Sequence, residues 1–583
     1  MAALFTTPKR NDNTSGAHFA EPDVRLAHGS WRRVTRRIVA GAVCALTVSS
    51  LLMPSVSLAA EWVDVGGTQY YAAAGDEAGT WSWDGADDMK LNGYDGGTIK
   101  AAGKLNLSYG GDNTVTNNNG RGILVEDGAN ENAELNIQGG ASDTLNVTSS
   151  SDAIISIGDI NIDGAGTVNA TSTGFDAIDA KGDLTIKGSG NVNATGDSDG
   201  IRAGGNITID NSGTVTAKAF EEKGIQANEN LTVKGGGKVE ASSIEDEAIW
   251  AKTNIDISGG SQVKASSEED YAVKAKGSLT VSNASLNATG IGYGIYVYEG
   301  ITLDGATVTV RASSDSDEVL ALYTDEDDIV IKNASTVDAL AEGRFSVAIS
   351  TRNTSSSGAG GHIYISDSVV KAIARYVETD GGPDRYSNDQ GGEAIPEHKG
   401  VNLGIYASTY EGITPATISI VRSKVTAEGD TAAIFALVTS EDGKAIGTIE
   451  IKDATIQTPA GGKVIDYRSK GEFDDGGVFY EAGQTIGTGD ATIDSPYDAA
   501  VAKSTVIAPP EEKPGETKPE GPKPGSKSEG TKTTKTVAVA ATGVKTTGKL
   551  AATGDASSAA IVAAAFAGTA AISAAAVVSR KRS

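Results

Sequence analysis

Apolar and polar positions alternate in short bursts through the middle of the chain. The apolar–polar–apolar units Ile160/Ile162, Leu184/Ile186, Ile207/Ile209, Leu231/Val233, Ile255/Ile257, Leu279/Val281 and Ile301/Leu303 recur every 22 to 24 residues. Each is followed by a second short run (TVNAT, NVNAT, TVTAK, KVEAS, QVKAS, SLNAT) and then a third (DAIDA, DGIRA, KGIQA, EAIWA, YAVKA, YGIYV). Period-two alternation marks a strand with one buried face. A fixed period of this length marks stacked supersecondary units. Gly clusters (KGSGN, KGGGK, SGGSQ) follow the first run of each unit and supply the positive φ that a tight first turn needs. The predicted fold is all-β: a right-handed parallel β-helix with three strands per coil. The antiparallel hairpins and longer period of a β-sandwich array are missing from the pattern.

The alignment yields columns. Inward positions include an Ala column at Ala170, Ala194, Ala217, Ala241, Ala265 and Ala288, and another at Ala180, Ala203, Ala227, Ala251 and Ala275. Outward positions form like-residue ladders, Asn146/Asn169/Asn193 and Thr185/Thr208/Thr232, suited to hydrogen bonds between coils. The end coils of a solenoid expose unpaired strand edges and need caps. The expected organisation is a signal peptide over 1–59, an N-terminal cap with Trp81 and Trp83 over 60–104, and β-helix over 105–465 with a polar insertion at about 376–400. A C-terminal cap over 466–507, a Pro/Lys/Glu/Gly-rich linker over 508–549 and a terminal signal over 550–583 complete it.

The net charge of −27 makes nucleic acid an unsuitable partner. The body is more acidic still, because basic residues cluster at both ends. Arg32, Arg33, Arg36 and Arg37 precede an apolar run, and small residues lead to a signal-peptidase junction at Ala59–Ala60. The single cysteine, Cys44, lies in that leader, so the secreted chain has no disulfide.

At the other end, Leu550, Ala551, Ala552, Thr553 and Gly554 precede the uncharged run Ala559 to Val578, followed by Arg580, Lys581 and Arg582. The run is long enough to span a bilayer as a helix. Pentapeptide, apolar span and basic stub together resemble the cell-wall sorting signal of Gram-positive bacteria, in the LAxTG form typical of actinobacteria. Ala551 stands where Pro is usual. The resemblance implies that a sortase cleaves Thr553–Gly554 and joins Thr553 to peptidoglycan, leaving the protein covalently attached to the cell wall. The body, in stretches such as DGIRAGGNITIDNSGTVTA and WSWDGADDMKLNGYDGGTI, resembles bacterial carbohydrate-binding β-helix domains, some of which use calcium to bind acidic polysaccharides.

Two sets of positions carry candidate chemistry. The turn before the third strand is repeatedly acidic: Asp197 and Asp199, Glu221 and Glu222, Glu245, Asp246 and Glu247, Glu268, Glu269 and Asp270, and Asp315 to Glu318. Stacked about 4.8 Å apart they form a ridge of repelling carboxylates, which Ca²⁺ would bridge. The competing expectation is a solvated acidic edge. The outward column of the third strand reads Asp179, Arg202, Gln226, Trp250, Lys274, Tyr296, Tyr323. Arg202, Trp250, Lys274, Tyr296 and Tyr323 are its candidate ligand-binding residues, rings for sugar faces and cations for polar substituents.

No compact Asp cluster is evident beside Asp179 and Arg202, and His362 and His398 are the only histidines after the leader. The expected function is therefore a non-enzymatic surface adhesin or glycan-binding protein, calcium-assisted, with an extracellular glycan or a surface protein as partner. A structural stalk or coat protein and a polysaccharide lyase or hydrolase are the alternatives.

Overall fold

The computed structural model describes residues 60–510, apart from 129–131, 315–317, 354–359, 378–401, 410–413, 440–445, 473–477 and 489–500. The leader, nearly all of the polar insertion, the linker and the terminal signal lie outside the described residues. Among those described there is no helix, and hence none long and apolar enough to cross a membrane.

Three long sheets carry nearly all strands, and their order along each sheet advances by one coil at a time. The chain is a parallel β-helix. In the first sheet Ile160 pairs with Leu184, then Ile207, Leu231, Ile255, Leu279 and Ile301, in unbroken parallel register. In the second, Ala170, Ala194, Ala217, Ala241, Ala265 and Ala288 stack likewise. In the third, Ala180, Ala203, Ala227, Ala251 and Ala275 form the narrow inward column. All of these residues are buried in one continuous core.

The outward ladders form. Asn169 Nδ2 donates to Asn146 Oδ1 and Asn193 Nδ2 to Asn169 Oδ1, both at 2.8 Å. Two further ladders, Asn106/Asn136/Asn161 and Asn206/Asn230/Asn254, were not singled out from the sequence. The first turn has positive φ in nearly every coil, but Gly is not its only occupant. Gly164, Gly188, Gly235, Gly259 and Gly305 share the position with Asn283, Asn333, Asp367, Arg422 and Asp453. Asn and Asp tolerate this region through local hydrogen bonds. Arg422 is held there by a two-pronged pair with Asp367, Nε–Oδ1 at 2.7 Å and Nη2–Oδ2 at 2.6 Å.

Both ends change to antiparallel pairing. Trp81–Trp83 runs antiparallel to Asp88–Asn92, and Trp62–Val65 antiparallel to Ile99–Ala102, which covers the first edges with buried Trp81, Trp83 and Val63. Parallel stacking already begins at Asp88–Asn92, inside the segment expected to be cap. At the far end Val478–Gly487 lies antiparallel to Ala432–Thr439 and to Lys463–Glu472, and Ser504–Ala508 antiparallel to Lys424–Glu428. Such reversals deny the exposed edge to another chain.

Candidate binding face on the third sheet

A buried serine sets the turn that enters the third sheet. Ser172 Oγ donates to Ser151 O in the coil before (2.5 Å) and accepts the Phe175 N–H (3.0 Å). Ser267 Oγ repeats this with Asp246 O (2.7 Å) and the Asp270 N–H (2.9 Å). Ser243 does the same with Glu222 O and Asp246 N–H. Each hydroxyl ties one coil's turn to the last and fixes where the next side chains emerge.

Two outward columns result. One is the expected column, in the register Asp179, Arg202, Gln226, Trp250, Lys274, Tyr296, Tyr323. Beside it runs a second, linked coil to coil by backbone bonds and composed of Asp152, Asp176, Asp199, Lys223, Glu247 and Tyr271. The repeat pattern places Asp199 and Glu247 in the acidic turns and does not single out Asp152 or Asp176.

The expected ridge is consequently not a bare row of repelling carboxylates. Glu221, Glu222, Glu245, Glu268 and Glu269 are exposed, Asp197, Asp246 and Asp270 are half-buried, and Asp199 and Glu247 are buried. Of the ridge, Asp246, Glu247 and Asp270 bring carboxylate oxygens within 4.8 Å of one another. Lysines already occupy that space: Lys223 Nζ lies 2.6 Å from Asp246 Oδ2 and 3.6 Å from Glu247 Oε2, and Lys274 Nζ 2.5 Å from Glu247 Oε1. The repulsion that called for Ca²⁺ is relieved from within, so these carboxylates fit a bound metal poorly. Residues 315–317 lie outside the described residues. Burial raises Glu247 to about 7, reinforced by Asp246 and opposed by Lys274. Asp246 is held down to about 2: burial pushes the other way, but hydrogen bonds from Glu247 and Lys223 outweigh it.

A compact Asp cluster does accompany Asp179 and Arg202, contrary to the sequence reading. Asp152, Asp176 and Asp179 are all buried and share oxygens within 4.8 Å. Arg121 Nε sits 2.9 Å from Asp152 Oδ2, Arg202 Nη1 3.6 Å from Asp176 Oδ2 and Arg202 Nε 3.9 Å from Asp199 Oδ2. Lys181 pairs with Asp179. Burial, foremost, raises the pKa of both Asp176 and Asp179.

Further along the face, tyrosines replace the charges. Tyr271 and Tyr293 lie 4.6 Å apart at their ring centroids, Tyr293 and Tyr296 5.3 Å, and Tyr296 and Tyr323 5.5 Å. Tyr323 is only 6% exposed and donates to Asp325 Oδ1 at 2.7 Å. It belongs to an apolar cluster outside the helix core, with Tyr406 and Phe435, which Ile465 and Val501 of the C-terminal segments join. Tyr323 is thus covered and offers no ring to a ligand. Lys274, bonded to Glu247, also sits 4.8 Å above the Tyr271 ring. Arg202, Trp250, Lys274 and Tyr296 remain partly exposed. The sequence reading missed Phe175 and Phe220 on the turns bordering this face, which are 57% and 49% exposed.

Ala60 is the first described residue and is buried, whereas Ala59 and the sorting motif Leu550 to Gly554 lie outside the described residues. No family model matches the chain, and no curated protein and no solved structure matches it.

Proposed function

We propose that the chain is a wall-displayed glycan-binding protein whose ligand lies along the outward face of the third sheet, between Phe175 and Tyr296. The observation that carries this reading is the exposure of Phe175 and Phe220 beside half-buried Trp250 and Tyr296. Exposed rings grouped on one face cost solvation and suit flat apolar surfaces such as pyranose faces. Phe175 and Phe220 are two coils apart, about 10 Å, comparable with the advance of a disaccharide in an extended polymer. The ion pairs between the rings present hydrogen-bonding groups already organised, so little ordering is required on binding.

Phe220→Ala and Trp250→Ala should each weaken binding about five- to tenfold, the loss of one stacking contact of roughly 1 kcal/mol. Affinity electrophoresis of the secreted chain through gels holding different polysaccharides reads this directly. Wild type and both variants migrating alike in every gel would sink the reading.

Display on the wall rests on the terminal motif. Thr553→Ala should leave the protein in the membrane fraction, because the acyl donor is lost. Equal release of wild type and variant by muramidase would show that Thr553 is not the attachment point.

A further inference from the structure

The Asp152–Asp176–Asp179 cluster lies at one end of the proposed glycan face, and its geometry points to a second role that does not depend on glycan binding. We propose that it is a site for a hard divalent cation of the Ca²⁺ class, which staples two neighbouring coils together. Asp152 belongs to one coil, and Asp176 and Asp179 to the next.

Three observations converge. The three carboxylates bring oxygens within 4.8 Å of one another. Ligands at about 2.4 Å from a Ca²⁺ lie no further apart than about 4.8 Å, so the spacing meets the condition for a single ion shared by all three. Second, Asp179 is 1% exposed and its Oδ1 is a buried acceptor with no hydrogen-bond partner. A buried carboxylate oxygen left without a partner is costly, and a cation would satisfy it. The third observation is charge. With Asp199 alongside, and Lys223 next to it in the column, four buried carboxyl groups have Arg121, Lys181 and Arg202 as their ion-pair partners. These cations reach in from the surface, with side chains 43%, 42% and 36% exposed. They can swing outward when an ion enters, while the carboxylates are fixed by the coils that carry them. The lysine-filled cluster at Asp246 and Glu247 is the contrast, since Lys223 is only 14% exposed and ion-paired with both.

The test uses the secreted chain, stripped with chelator and titrated with Mn²⁺ followed by electron paramagnetic resonance, with Ca²⁺ as competitor. One Mn²⁺ per chain, displaced by Ca²⁺, is expected. Asp179→Asn and Asp152→Asn should each weaken binding more than tenfold, while Asp246→Asn leaves it unchanged. Lys181→Met guards against variants that merely fold badly. Removing the competing ammonium should tighten binding several-fold and make the melting temperature depend more steeply on Ca²⁺. Absence of stoichiometric binding by wild type would overturn the proposal. So would Asp179→Asn and Lys181→Met both binding as wild type does, or Asp246→Asn abolishing the site.

Discussion

Replacing Ile209 by Asp should split the unfolding of the solenoid and lower the stability of the surrounding coils by several kcal/mol, whereas Thr208→Asp, one residue away, should cost less than about 1 kcal/mol. Ile209 is 1% exposed and stacks between Ile186 and Val233 on the coils either side. An Asp there has no cation to meet, and it leaves space that rigid neighbouring strands cannot fill. Thr208 points outward in the ladder Thr185/Thr208/Thr232, where a carboxylate stays solvated. Because each coil of a solenoid touches only its neighbours, damage stays local, and calorimetry should show two transitions in place of one. Equal loss from both substitutions would mean that inward and outward faces have been exchanged, since a one-residue slip reverses every side chain.

The pairing of these two residues was legible because the same inward set recurs in every coil, so an error in one coil would have clashed with the next. The Ala columns and the Asn146/Asn169/Asn193 ladder carried over to the structure for that reason. The first turn was only half legible. Its column of positive φ continues through Asn333, Asp367 and Arg422, where no Gly marks the turn, and the register of the flanking Ile pairs is the better guide.

The candidate site was less legible because its acidic residues were sorted by turn and not by column. Asp152 and Asp176 precede an Ala-Ile pair as Asp199 precedes Gly-Ile and Glu247 precedes Ala-Ile, a fixed offset of two residues from the inward Ile. That offset places them in one column with Lys223, so that compensation of charge is a property of the column. The serines that hold the turn, Ser172, Ser243 and Ser267, repeat as well and mark where the column begins. The burial of Tyr323 could not be read locally. Ile465 and Val501, which belong to the same cluster, lie in the C-terminal segments, and no repeat connects them to the third strand.

Lowering the pH from 8 to 5 should stabilise this acidic protein in the coils around Asp199, and Asp199→Asn should remove that residue's share of the gain. Asp199 is 2% exposed; burial, reinforced by the charge of Asp176, raises its pKa to about 7, against the opposing pull of Arg202 and Lys223. In the unfolded chain an Asp titrates near about 3.9. Between those values the folded protein holds a proton that the unfolded chain has released, so the stabilisation is complete below the unfolded pKa and is lost as pH rises through about 7. From pH 5 to 8 the loss amounts to roughly 2–3 kcal/mol. Asn can keep the acceptor that Asp199 Oδ1 presents to the Lys223 N–H at 2.8 Å, while carrying no charge to desolvate. The variant should therefore melt higher than wild type at pH 8 and equal it at pH 5, where the native carboxyl is already neutral. Asp176, Asp179 and Glu247 are raised in the same direction and should leave a residual slope in the variant. Melting curves for both proteins across this range decide the matter. Parallel curves, with the variant lower throughout, would show that Asp199 is ionised in the fold and that its pairing with Arg202 outweighs its burial.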